Sequence, residues 1–124
     1  MRYSMAWAAA LALGAIAAPA LAHHSFAMFD MNKELKLNGT IRVFQWTNPH
    51  SYIQLMAKDA SGKETEYSLE MGAPMYLYAR GWRPSTLKPG MQVTIAYHPL
   101  RSGKAGGVVS DVFGPDGKPV GTNK

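Results

Sequence analysis

Five stretches of this chain alternate apolar with polar residues, and residues that favour turns separate them. The stretches are residues 35–46, 50–57, 64–70, 91–98 and 105–113. A period of two residues is typical of strands that bury one face. Between the third and fourth stretch, residues 75–80 follow a proline and precede Gly81, a pattern that predicts one short helix. The sequence therefore predicts a mainly β domain.

The order of these elements is three strands, one helix and two more strands, as in the five-stranded oligonucleotide/oligosaccharide-binding (OB) barrel. In that barrel the long first strand bends to pair with both neighbours, and Gly39 lies where a bulge or bend is needed. The residues predicted on one face of this first strand are Leu35, Leu37, Ile41, Val43 and, as the last candidate, Gln45. We therefore expect a small OB-like barrel with one short helix between strands three and four. A small open β-sandwich with one helix is the alternative.

The first 22 residues have the layout of a secretory signal peptide. Arg2 opens the segment, an apolar run covers residues 6–18, and Ala20-Leu21-Ala22 has the small-residue pattern of a cleavage site. The run is shorter than the roughly 20 apolar residues that span a bilayer. We expect cleavage after Ala22, a periplasmic location and no stable membrane insertion afterwards. The predicted regions are the signal peptide 1–22, an N-terminal arm 23–36 and the OB-like domain 37–120.

The composition excludes several classes of site and partner. The chain contains no cysteine, which excludes disulfides, thiolate metal sites and cysteine nucleophiles. The part after the predicted leader has about 100 residues, enough for one domain with a modest core. The 13 Lys and Arg exceed the 8 Asp and Glu, but they are scattered along the chain. Without a contiguous basic stripe, we expect no nucleic-acid partner.

Cleavage after Ala22 would make His23 the first residue of the mature protein. Its free α-amine and its imidazole can together chelate one transition metal ion, a pairing that an internal histidine does not supply. Imidazole suits zinc, copper and nickel, and an amine with several imidazoles favours copper. His50 is expected at the barrel rim because it follows the turn at Asn48-Pro49. The sequence predicts a copper site made of His23, His50 and, as a further ligand candidate, His24.

Other roles stay open for these residues. His50 can instead cap its strand through a hydrogen bond to a carbonyl, and His24 can be a solvated arm residue. His98 is predicted at the barrel end opposite His50, apart from the site. An aromatic face that stacks a ligand is the alternative to a metal site. Its candidate residues are Trp46, Tyr52 and Trp82.

Two short sequences are specific enough to compare with known families: His23-His24-Ser25-Phe26 and Trp46-Thr47-Asn48-Pro49-His50. Less specific sequences accompany them, namely Phe29-Asp30, Gly39-Thr40, Gly81-Trp82 and Leu87-Lys88-Pro89-Gly90. Together they resemble a family of small exported bacterial periplasmic proteins of undefined function, over essentially the whole mature chain. The resemblance implies a periplasmic setting and a barrel-like β domain, and it implies no settled activity.

Catalysis has little support in the sequence. Glu66 and Glu70 are predicted on one face of the third strand, but so small a chain is not expected to form the cleft that a glycosidase needs. Ser68 lacks the flanking glycines of a nucleophile elbow. We therefore expect a periplasmic binding or accessory protein rather than an enzyme, with copper as its cofactor. The alternatives are a metal-free module for a small ligand or a periplasmic protein, and a structural subunit of a larger periplasmic complex.

Overall fold

The computed structural model describes residues 26–121. Its strands are β1 (Leu35–Gln45), β2 (Tyr52–Lys58), β3 (Glu64–Glu70), β4 (Gln92–Pro99) and β5 (Gly106–Phe113). The helix α1 (Pro74–Ala79) lies between β3 and β4, and a 3-10 turn (Phe26–Met28) precedes β1. All the predicted strands and the predicted helix form, and their ends differ from the predicted ones by two residues at most.

The five strands form a closed barrel. They pair in the order β1-β2-β3-β5-β4, and β4 pairs again with β1. Only β3 and β5 are parallel among these pairs of the described residues. The closed sheet confirms the OB-like barrel and rules out the open sandwich for the described part. No helix in that part has the length and apolar character needed to cross a membrane.

The first strand pairs with both of its neighbours around Gly39. This glycine lies opposite Ala57 of β2 and opposite Val93 of β4. A Cβ atom at this position would lie 2.5 Å from the carbonyl oxygen of Met56. A glycine is therefore required here because it allows two backbones to approach closely.

The irregularity of β1 does not lie at Gly39, the residue for which the sequence predicts a bulge or bend, but further along the strand. Its register against β2 shifts between Ile41 and Val43. One extra residue on one strand reverses the alternation of the side chains that follow. Ile41 and Phe44 are consequently buried, whereas Gln45 is exposed. The predicted shared face that continued through Val43 and Gln45 is therefore wrong.

The core fills the barrel and continues under α1. Inside the barrel it consists mainly of aliphatic residues from four strands: Ile41, Ile53, Leu55, Leu69, Val93 and Ile95. Leu77 of α1, Trp82 and Leu87 extend this core beyond the strands. The backbone N–H of Trp82 donates to the carbonyl of Leu77 at 3.0 Å. Trp82 thus folds back on the helix.

The N-terminal arm is attached to the end of β4. Phe29 forms an isolated β-bridge with Leu100, and the backbone N–H of Asp30 donates to the carbonyl of Pro99 at 2.8 Å. The side chain of Phe29 is buried, whereas Phe26 is 63% exposed. These contacts anchor the described part of the arm to the end of β4.

Candidate functional site

A cavity of about 490 Å³ lies between the arm, the start of β2, the end of β3 and α1. We call it the arm cavity. Its apolar lining includes Phe26, Phe29, Leu77, Val108 and Val109. Its polar side chains are the imidazole of His50, the carboxylate of Glu70 and the phenol of Tyr76. A mostly apolar cavity with a few polar groups is the usual form of a small-ligand site.

Local hydrogen bonds hold the backbone of His50 in place. The hydroxyl of Thr47 donates to the carbonyl of His50 at 2.7 Å. The next residue, Ser51, is fully buried and exchanges two backbone hydrogen bonds, with Gly72 at 3.0 Å and with Met71 at 2.8 Å. His50 therefore lies in a tightly fixed segment at the rim, in agreement with its predicted position after the Asn48–Pro49 turn.

The imidazole of His50 is oriented by two acceptors. Its Nδ1 lies 3.2 Å from the carbonyl oxygen of Met71 and 3.2 Å from Oε1 of Glu70. Nδ1 donates to these oxygens when it carries the proton, and in that neutral tautomer the lone pair lies on Nε2. A carbonyl or carboxylate that accepts the proton of the other ring nitrogen orients metal-binding histidines in the same way. The carbonyl contact is also the one expected of a strand-capping histidine.

Glu70 lies on the third strand as predicted, but its contact with His50 was not expected. It is buried at the end of β3, opposite Tyr52. Glu66 is exposed, and its Oε1 accepts a hydrogen bond from Nε of Arg42 at 2.5 Å. Burial, and then the charge of Glu70, raise the pKa of the Tyr52 phenol. Glu66 and Glu70 are about 13 Å apart along the strand, so they do not act as a pair. The antiparallel β2–β3 hairpin, which brings Glu70 to His50, is the signal that could have identified it.

The other predicted metal ligands lie outside the described residues. This applies to both His23 and His24, which precede Phe26 in the chain. Within residues 26–121, no three His, Asp or Glu side chains gather into a group that could hold a metal ion. His50 is thus the one predicted ligand whose surroundings the structure describes.

His98 does not line the arm cavity. Its position on β4 lies opposite Val108 of β5, which in turn lies opposite Glu70 of β3. The Nδ1 atom of His98 is 2.8 Å from the carbonyl oxygen of Lys33. The predicted position at the barrel end opposite His50 is therefore wrong, because the register places His98 level with Glu70, with Val108 between them. The side chain of His98 contacts the backbone of the arm and stays outside the arm cavity.

The three aromatic residues proposed as an alternative ligand face do not form one. Trp82 is fully buried, and its ring centroid lies 5.9 Å from that of Phe44. Trp46 is half-buried and packs edge-on against Phe44 at 5.7 Å, and Tyr52 is half-buried on β2. Trp82 is a core residue and offers no ring face to a ligand, which corrects its assignment as a binding residue.

The comparisons with known proteins give one finding about the family. The model of DUF6152, described as a family of unknown function, matches residues 10–110. No curated protein and no solved structure matches the chain. The family match supports the coarser part of the resemblance, namely a family without a settled activity.

Proposed function

The chain belongs to the DUF6152 family of unknown function, and we propose that it is a periplasmic accessory protein that binds one copper ion at the arm cavity. The proposal is carried by one observation: Phe26 and His50 line the same cavity. His23 precedes Phe26 by three residues, a chain length of at most about 11 Å. His23 is therefore within reach, along the chain, of the cavity that His50 lines.

The proposed ligands are nitrogen atoms. Cleavage after Ala22 supplies the α-amine and the imidazole of His23, and Nε2 of His50 completes the minimal site. His24 is the further candidate. This set favours copper, because Cu²⁺ binds nitrogen ligands more tightly than the other divalent first-row metals do.

Glu70 supports such a site in two ways. Its carboxylate lies on the Nδ1 side of His50, where it fixes the ring and raises the basicity of the ligand nitrogen. It is also a negative charge in a largely buried position, and this charge favours a nearby cation. The role proposed for Glu70 is to position His50.

A metal-free module is the second candidate function. The arm cavity favours it through its volume of about 490 Å³ and its mainly apolar lining. Its ligand would be small and apolar, with one polar group near His50 and Glu70. In this candidate function the ligand binds in the arm cavity, and not on the aromatic face that was predicted to include Trp82.

Copper titration of two matched histidine variants separates the candidates. The protein is isolated with a start at His23, checked by intact mass. We expect His50→Ala to weaken copper binding about tenfold or more, a loss of at least 1.4 kcal/mol, and His98→Ala to leave it unchanged. Circular dichroism confirms that both variants fold. Equal, weak binding by parent and variants would contradict the copper site and favour the metal-free module.

A further inference from the structure

A second cavity, of about 440 Å³, lies between the arm, the β2–β3 hairpin and the loop from β4 to β5. It shares no lining residue with the arm cavity within the described chain. Tyr67 and Tyr97 are its aromatic lining residues, and we call it the tyrosine cavity. A ligand bound in the tyrosine cavity would therefore use none of the residues that line the proposed copper site.

Three cationic side chains line this cavity: Lys33 from the arm, and Arg101 and Lys104 from the β4–β5 loop. The ion pairs found among residues 26–121 involve none of them. The guanidinium Nε of Arg101 donates to the carbonyl of Ala27 at 3.2 Å, which anchors its side chain to the arm. Positive charge from two separate segments thus converges on one cavity.

Two aspartates also line the cavity, but their carboxylates are engaged locally. Asp59 accepts hydrogen bonds from Ser61, Lys63 and Thr65 of its own hairpin. The hydrogen bond from the Ser61 hydroxyl is the largest cause that lowers the pKa of Asp59. Asp30 accepts a bond from the backbone N–H of Asn32 at 3.2 Å. By formal charge, three cationic side chains face two carboxylates in this lining, and the excess of one positive charge favours an anion.

The half-buried ring of Tyr67 provides an aromatic surface beside these charges, and the buried ring of Tyr97 supports it. Their ring centroids are 6.4 Å apart at an interplanar angle of 70°, an edge-to-face arrangement. Tyr97 is buried and Tyr67 half-buried. Burial, and then the neighbouring Tyr67, raise the pKa of Tyr97, so its hydroxyl is neutral at physiological pH. Tyr97 therefore adds no negative charge beside the cationic side chains.

We propose that the tyrosine cavity binds a small organic anion of the aromatic carboxylate class. The carboxylate interacts with Lys33, Arg101 and Lys104, because charge-assisted hydrogen bonds to a carboxylate are the strong ones. The ring packs against the half-buried Tyr67, which Tyr97 supports from the core. The cavity volume of about 440 Å³ falls within the range of ordinary small-molecule sites.

Three probes test the class of ligand by nitrogen–proton NMR of the metal-free protein. Benzoate carries both the ring and the charge, benzamide only the ring, and acetate only the charge. We expect saturable shifts at the amides of Gly103, Ala105 and Gly106 with benzoate, and about tenfold weaker binding of the other two. Shifts that do not saturate, or equal affinity for the three probes, would overturn the proposal.

Substitution of two exposed lysines tests whether the ligand binds in the tyrosine cavity. In the double variant Lys33→Gln and Lys104→Gln, benzoate should bind about fivefold more weakly or worse. Lys118→Gln removes one exposed cation from the last turn, outside the cavity, and should bind benzoate as the parent does. The same spectra report whether each variant is folded. A folded double variant with parental affinity would contradict the site, and no outcome of this test bears on copper.

Discussion

The Nδ1 atom of His50 lies 3.2 Å from Oε1 of Glu70, so a histidine just before β2 meets a carboxylate at the end of β3. The antiparallel hairpin brings them together, because its register places Tyr52 opposite Glu70. The pair lines the arm cavity, which the N-terminal arm also lines through Phe26. This juxtaposition is the structural basis of the proposed copper site.

The charge of Glu70 should be measurable at Tyr52. Burial first and Glu70 second raise the Tyr52 pKa above 10.0. In Glu70→Gln the negative charge is gone, so the phenolate is less disfavoured and its pKa should fall towards 10.0, while burial keeps it above that value. Carbon NMR of the tyrosine rings during a pH titration measures this shift. Glu66→Gln is the matched control, and a Tyr52 pKa that does not move in Glu70→Gln would contradict the contact.

Trp82 should behave as a core residue. We expect Trp82→Ala to lower the free energy of unfolding by about 3–5 kcal/mol, because it removes a large, fully buried ring. Trp46→Ala should cost less, since that ring is half-buried. Urea unfolding of both variants gives the comparison. Parental stability of Trp82→Ala would show that the ring does not pack in the core.

Gly39 should tolerate no side chain. A Cβ atom there would lie 2.5 Å from the Met56 carbonyl oxygen and 2.8 Å from Cγ of Leu55. We expect Gly39→Ala to destabilise the protein by about 1–3 kcal/mol through overpacking. Thermal unfolding measures this effect. An unchanged midpoint would mean that β1 and β2 are not as close at this position as the structure places them.

Asp59 should contribute to stability in a pH-dependent way. Hydrogen bonds from its hairpin, the Ser61 hydroxyl first, lower its pKa below 3.8 in the folded protein. A lowered folded pKa means that the contribution is present above the unfolded pKa and is lost as the pH falls through the folded value. Asp59→Asn should therefore lower the stability at neutral pH and flatten its pH dependence below about pH 4.

Urea unfolding of this variant over a series of pH values makes the measurement. Asp116→Asn is a suitable control, because the Asp116 carboxylate accepts a backbone hydrogen bond from Lys118 in a comparable turn. If Asp59→Asn and the parent lost stability in parallel on acidification, the hairpin bonds of Asp59 would not be the cause.

The fold was predictable where the local pattern decides the structure. β3 forms at its predicted bounds. Its residues Thr65, Tyr67 and Leu69 occupy every second position, and the segment lies between a turn and the start of the helix. The register shift of β1 at Arg42 was not predictable, since the extra residue of a bulge carries no obligatory residue type. A shift of one residue then reversed the faces expected for Val43 and Gln45.

The candidate site was predictable only in part. The position of His50 at the rim follows from the turn before it, but its pairing with Glu70 depends on the register of the hairpin across 20 residues. Trp82 was wrongly grouped with ligand-binding aromatics, because an isolated tryptophan outside a periodic segment does not show which way its ring faces. The proposed ligands His23 and His24 lie outside the described residues, and their role stays a prediction.

The direct test of the copper site compares two forms of the chain by calorimetry. One begins at His23, and the other carries one extra glycine before it, which moves the α-amine away from the imidazole of His23. We expect the first form to bind one copper ion, with an affinity that rises between about pH 5 and 8 as the amine and imidazoles lose protons. The extended form should bind at least about tenfold more weakly. Equal affinity of both forms would contradict a copper site built on the N-terminal histidine.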